Sequence, residues 1–139
     1  MVIAFIDGLG GGLMAQVISN LPEHLKKKVE LLALGTNSMA TLAMVKAGAK
    51  NGASGEHAIC YSIQQVDLLV APLGLIIPNA MYGEVTPEIA QKVAGAVAKK
   101  IFLPIANINI KIVGLENKSM NQLIKETVAE ITTFIEKES

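Results

Sequence analysis

Four glycines fall in five positions directly after an apolar run: Asp7-Gly8-Leu9-Gly10-Gly11-Gly12 follows Val2-Ile3-Ala4-Phe5-Ile6. Glycines packed this densely let the main chain approach a ligand closely. A helix beginning at Leu13 would turn its unpaired N–H groups, and the positive end of its dipole, into the same gap. The chemistry this order predicts is capture of a phosphate. A dinucleotide fingerprint would carry a further glycine at position 13, where Leu13 stands. The competing reading is a tight turn in which glycine serves packing alone. Asp7 can orient a ribose or a metal-bound water, or bond the N–H groups of its own turn. A bare carboxylate beside a phosphate is repulsive unless a cation or a base edge separates them.

Three further stretches belong with this turn. Gly35-Thr36-Asn37 follows the apolar run Val29 to Leu34, where NAD-type folds carry an acid for the adenine ribose. Here the groups are neutral, so a hydroxyl or amide would bond a ribose or phosphate, or Thr36 would simply cap a helix. Pro72-Leu73-Gly74 follows Val66 to Ala71, and the irregular segment Leu75 to Gly83 follows that. Asn79, Tyr82 and Glu84 place polar groups among apolar ones there, as a lid or substrate loop would, or as a dimer contact through Leu75, Ile76, Ile77 and Met81 would. The candidate cofactor-binding set is Asp7, Gly8, Gly10, Gly11, Gly12, Gly35, Thr36, Asn37, Pro72, Gly74 and Asn79. Asp7 or Glu84 is the acid or base if a reaction follows. Glu56 and His57 could serve as a base and its partner, His24 lies on a charged surface stretch, and Cys60 reads as inert core. No Ser–His–Asp set, Walker-type lysine or metal-spaced histidine pair is present.

The elements that must hold these groups follow from periodicity. Residues 2–6, 29–34, 66–71 and 101–105 read as strands, and 57–62 (HAICYS) as a further strand after a polar loop at 48–56. Met14, Val17, Ile18 and Leu21 form a helical stripe that Pro22 ends near Asn20 to Leu21. Thr36 or Ser38 caps a second helix that runs to about Ala47, with Gly48 as its C-cap. Thr86-Pro87-Glu88 starts a third helix, with Ile89, Val93 and Val97 on one face and Lys99 and Lys100 at its C-terminal end. Asn107 to Val113 alternates like a half-exposed strand, the pattern of an antiparallel edge. Ser119 caps a last helix with Leu123, Ile124, Val128, Ile131 and Ile135 inward. The expected fold is α/β, a Rossmann-like three-layer sandwich with a mostly parallel sheet, as a single domain over residues 1–139. Right-handed crossovers place the three turns at one sheet edge, where ligands bind.

The 139-residue chain is 51% hydrophobic, 17% charged and has zero formal net charge. This apolar excess suits a sheet buried on both faces and a surface covered in a homo-oligomer. A neutral chain with 4% aromatics offers neither the field nor the stacking groups that nucleic-acid binding needs. One cysteine, no long uncharged apolar run and no leader-like N-terminus suggest a cytoplasmic protein without membrane contact.

The glycine turn, the strand Val29 to Leu34, Thr36-Asn37 and the helix after them resemble the nucleotide domain of the tubulin and bacterial cell-division GTPases over the first third of the chain. That superfamily's glycine- and threonine-rich phosphate signature has Pro72-Leu73-Gly74-Leu75-Ile76-Ile77 in its place. Over the whole chain, IDGLGGG (6–12), LALGTNSMATLAMVKAGA (32–49), PLGLIIPNAMYGEVTPEIA (72–90) and IKIVGLENKSMNQLI (110–124) resemble a small bacterial family known as domain of unknown function 3842. That resemblance implies a stand-alone single-domain protein and no particular activity. The expected ligand is a nucleotide such as NAD(P) or a purine nucleotide, or another phosphate-bearing cofactor. The alternatives are a small enzyme acting on a phosphorylated metabolite, and a structural or regulatory homo-oligomer.

Overall fold

The computed structural model describes residues 1–106 and 109–138. Its first strand, β1 (Val2–Asp7), is apolar on both sides, so it can only sit mid-sheet. It pairs in parallel with β2 (Glu30–Gly35) and with β4 (Leu68–Pro72), Ile3 lying opposite Leu31 on one side and Leu68 on the other. Two further parallel pairings complete a five-stranded sheet ordered β3-β2-β1-β4-β5, with β3 (Asn51–Ser54) and β5 (Lys99–Leu103) at the edges. The chain steps outward from β1 through β2 to β3, then returns to the far side of β1. That reversal opens a crevice at the carboxyl ends of β1 and β4.

Helices cover both faces. On one, α1 (Gly12–Ser19), α3 (Ser38–Ala47) and α6 (Met120–Glu138) bury Met14, Val17, Ile18, Met44, Ile124, Ile131 and Ile135 against Ile3 and Phe5. On the other, α4 (Glu56–Ser62), α5 (Pro87–Ala94) and the 3-10 turns at Ile63–Gln65 and Leu73–Ile76 bury Ile59, Ile63, Leu75, Ile89 and Val93 against Ala4 and Ile6. The strand alternation of β1 thus feeds two separate cores, which is the three-layer sandwich expected.

Several elements differ from the sequence-based expectation. The polar stretch 48–56 is not all loop, because it contains β3, an edge strand with no apolar residue larger than alanine. Residues 57–62 are helix, not strand. Gly55 (φ 100°) breaks the chain after β3, and Ile59 and Ile63, four apart, then pack on one face. A parallel β3-to-β4 step requires such a crossover, and α4 supplies it. The cap of α3 is Asn37, not Thr36 or Ser38: its Oδ1 accepts from the Ala40 N–H at 2.8 Å. Helix α5 stops at Ala94, before Gly95, which leaves Val97 fully exposed and puts Lys99 and Lys100 in β5, not at a helix end. Of the expected strand 107–113, residues 107–108 lie outside the described residues and 109–113 form no strand, so among the described residues every strand pair is parallel. As expected, α1 ends at Ser19 ahead of Pro22, with a short α2 (Glu23–Lys26) beyond it. Thr86 caps α5 by accepting from Ile89 N–H at 3.1 Å, and Ser119 Oγ accepts from Gln122 N–H at 3.2 Å.

Candidate functional site

The glycine turn sits at the β1–β4 crevice, and its glycines divide into two kinds. Gly11 lies at φ 72°, and a Cβ there would come within 2.6 Å of Ala40 O. The close approach of α1 to α3 therefore requires glycine at this point. A Cβ on Gly8 would lie 2.5 Å from Met81 Sδ and 2.8 Å from Thr36 Oγ1. Gly10 and Gly12 are different. Neither has a positive φ, and a Cβ on either would meet nothing within 4 Å. Glycine costs backbone entropy that alanine would save, up to about 1 kcal/mol at a helical position such as Gly12. Packing gives nothing in return at these two positions.

The turn's donors are shared out unequally. Asp7, buried at the end of β1, bonds both ends of the turn: Oδ1 accepts from Gly8 N–H at 2.8 Å and Oδ2 from Met14 N–H at 2.9 Å. Asp7 thereby serves as the acidic cap of α1, whose own N-cap residue, Gly11, has no side chain. Burial raises the Asp7 pKa, outweighing the two amide bonds that lower it, and the neighbouring Glu84 charge adds to the rise. Gly11 N–H donates to Gly8 O at 2.9 Å, and Leu9 N–H donates to Glu84 Oε1 at 2.9 Å. Among the described residues, no acceptor pairs with the N–H groups of Gly10, Gly12 or Leu13. All three residues line a cavity of about 180 Å³.

The other walls of that cavity are Asp7, Gly8, Leu9, Gly11, Pro72, Gly74, Ala80, Met81, Ile105 and Ala106. The turn after β4 therefore does face the glycine turn. Gly74 N–H is itself held by Ile105 O at 3.1 Å. Gly35, Thr36 and Asn37 do not line the cavity. Gly35 is packed against Thr41 and Asn37 O, and Thr41 Oγ1 accepts its N–H at 3.1 Å. Asn79 is exposed, at φ 69°, and bonds through its main chain: its N–H donates to Val85 O at 2.7 Å and its carbonyl accepts from Gly83 N–H at 3.1 Å.

A strap of residues 77–85 crosses over the end of β1. Asn79, Met81, Tyr82 and Gly83 all have positive φ, and bonds from Ala80 N–H to Ile77 O and from Glu84 N–H to Met81 O hold the strap to itself. Met81 presses on Gly8, Tyr82 projects wholly into solvent, and Glu84 reaches past the turn to the end of β2. There Glu84 Oε1 accepts from Thr36 Oγ1 at 2.6 Å, Asn37 Nδ2 at 2.8 Å and Leu9 N–H. Burial pushes the Glu84 carboxyl up, but the three donors together outweigh it and hold its pKa below the ordinary glutamate range. Asn37 Nδ2 also donates to Leu9 O at 2.9 Å, so one amide ties strap, turn and α3 cap together.

A family model described as domain of unknown function (DUF3842) matches residues 2–136, the whole of the sheet and the helices that carry this site. The chain belongs to that family. No curated protein matches it. In this DUF3842 chain Glu84 is brought from the strap against Thr36 and Asn37, at the end of β2. The sequence pattern placed Glu84 in a lid but not against Thr36 and Asn37. The pairing spans 48 and 47 positions, and only the adjacency of β1 and β2 could have disclosed it. Glu56 and His57 are on α4 and do not line the cavity; Glu56 accepts from the Thr86 hydroxyl, and the exposed His57 ring stacks on Tyr61 at 6.3 Å. Burial raises the Cys60 thiol pKa, which suits an unreactive side chain. Among the described residues, no group of three metal-ligating side chains occurs and no helix is long and apolar enough to cross a membrane.

Proposed function

We propose that this protein binds a phosphate-bearing small molecule, a nucleotide or another phosphorylated cofactor, in the cavity of the glycine turn. One observation carries the reading. Gly10 and Gly12 are glycines that neither conformation nor packing requires, and their N–H groups and that of Leu13 have no acceptor among the described residues. A ligand that must come within hydrogen-bond distance of those donors explains both. The site lies at the reversal of strand order, the favoured ligand position in this architecture. The cavity supports binding more than catalysis. Among the described residues its one titratable wall residue is Asp7, whose two oxygens are already engaged.

A thermal-shift series with inorganic phosphate, pyrophosphate, ADP, GTP, FAD, NAD(H) and NADP(H) tests the proposal. A ligand at one hundred times its Kd adds about 2.7 kcal/mol. For a domain of this size that raises Tm by roughly 5–10 °C. No shift with any of them sinks the proposal.

Self-association in the cytoplasm is a second, compatible reading, favoured by the edge strand β3 and the exposed Met39 and Leu42 of α3 beside it. Sedimentation of the native chain tests it, and a monomer at all concentrations would refute it.

A further inference from the structure

In doubly wound proteins a nucleotide extends from the glycine turn toward the end of the second strand. Here that route is filled by the protein itself. Met81 lies so close to Gly8 that a methyl group added there would come within 2.5 Å of its Sδ and force a shift. Beyond it, the donors that would hold a ribose or a second phosphate are Thr36 Oγ1, Asn37 Nδ2 and Leu9 N–H, and all three bond a single oxygen of Glu84. On the open side the cavity measures about 180 Å³. Ordinary small-molecule sites begin at roughly 300 Å³. Its walls away from the turn are aliphatic: Pro72, Ala80, Met81 and Ile105.

We propose that Glu84 is a specificity-determining residue: by filling the Thr36–Asn37 corner with its own carboxylate, it confines the site to a compact ligand, a phosphate group on a short apolar body, and shuts out nucleosides. The inference rests on the phosphate-binding reading above and narrows its ligand class. Glu84 bonds the N–H of Leu9 and not those of Gly10, Gly12 or Leu13, so its removal takes no bond from the phosphate donors themselves. It releases three donors toward β2. The strap's main-chain bonds remain without it.

The test is calorimetric titration of the native chain and of Glu84→Ala with inorganic phosphate and with ADP. The native chain is expected to bind phosphate at least tenfold more tightly than ADP. Glu84→Ala is expected to shift the ratio of ADP to phosphate affinity at least tenfold toward ADP. Glu84→Gln keeps the side chain's length and an acceptor for the corner, and is expected to exclude ADP as the native chain does. Comparable native affinities for phosphate and ADP overturn the specificity role while the phosphate reading survives. So does an Ala variant whose ratio does not shift, or a Gln variant that admits ADP as readily as Ala. No phosphate binding to the native chain brings down the phosphate reading, and this inference with it. If Glu84→Ala does not fold, comparable native affinities for phosphate and ADP still overturn the proposal, and the Glu84→Gln comparison still tests the side chain.

Discussion

The double variant Gly10→Ala/Gly12→Ala separates a ligand site from a tight turn. A methyl group at either position meets nothing within 4 Å, and neither residue has a left-handed φ, so the folded state accommodates both methyls without strain. Replacing glycine restricts the unfolded chain, and at compatible sites this stabilises by about 0.4–1 kcal/mol each. Gly12 opens α1, where alanine is also the better helix former. The expected net is a variant as stable as the native chain or up to about 2 kcal/mol more stable by urea denaturation. Binding should move the opposite way. The added methyls lie beside the free N–H groups of Gly10, Gly12 and Leu13 and keep a phosphate oxygen from reaching about 2.9 Å. Losing two such charge-assisted bonds, at about 1.5–3 kcal/mol each, weakens phosphate at least a hundredfold. Isothermal titration alongside the denaturation curve reads both quantities. A clear loss of stability, of the size that strained or overpacked sites produce, would show that the glycines are structural. Undiminished affinity would show that the ligand lies elsewhere.

Other outcomes follow from neighbouring groups. Gly11 has a left-handed backbone and sits against Ala40 O. Left-handed strain on a side-chain-bearing residue is about 1–2 kcal/mol, so Gly11→Ala should cost at least that much by urea denaturation, with the Ala40 clash added. A negligible loss would mean that α1 and α3 can separate freely. Asp7 accepts from both Gly8 and Met14 N–H, and Asp7→Asn turns a donor toward one of them. The expected loss is about 1–3 kcal/mol, and a neutral result would contradict the shared-carboxylate cap. Because the Asp7 pKa is raised in the folded state, folding takes up protons between the ordinary value near 3.8 and the raised one. Its contribution to stability is therefore greatest below that window and falls as pH rises through it. Glu84 acts in the opposite sense: the stability it adds is present above its ordinary value of 4.5 and is lost as pH falls through the lowered one. Glu84→Gln should therefore flatten acid unfolding in that range. An anion in the cavity raises the Asp7 pKa further, so phosphate binding should take up protons and tighten as pH falls toward that value. Titration in buffers of different ionisation enthalpy detects the uptake, and pH-independent binding would place the anion away from Asp7.

The centre of the fold was legible because its physics is local. β1 is apolar at every position from Val2 to Ile6, α1 has its stripe, and Thr86-Pro87 starts a helix by stereochemistry. The stretch from 51 to 62 departs from its sequence pattern because its determinants are not local. β3 is an edge strand made of Asn51, Gly52, Ala53 and Ser54, stabilised by pairing with β2 and by Thr41, whose hydroxyl meets Ala53 O and Ser54 Oγ. The β-prone residues of 57–62 became helix because a parallel sheet needs a crossover at that point. The glycine turn was readable as a cluster, but its division into required and unrequired glycines emerges only once Ala40 and Met81 are in place. Asp7's bonds to its own turn were among the roles its position allowed. Glu84 reads in the sequence as an acid in a lid and a candidate acid or base, but nothing local discloses its partners, since Leu9 is 75 positions away.

The aromatic inventory makes the strap directly observable. The chain has no tryptophan and two tyrosines, Tyr61 on α4 and Tyr82 on the strap, so a Tyr61→Phe chain carries one tyrosine fluorophore, next in sequence to Met81 of the cavity wall. As folded, that phenol is bathed by water on all sides. Any rearrangement that presses it onto a bound molecule or a neighbouring subunit will register in its emission and quenching without an added label.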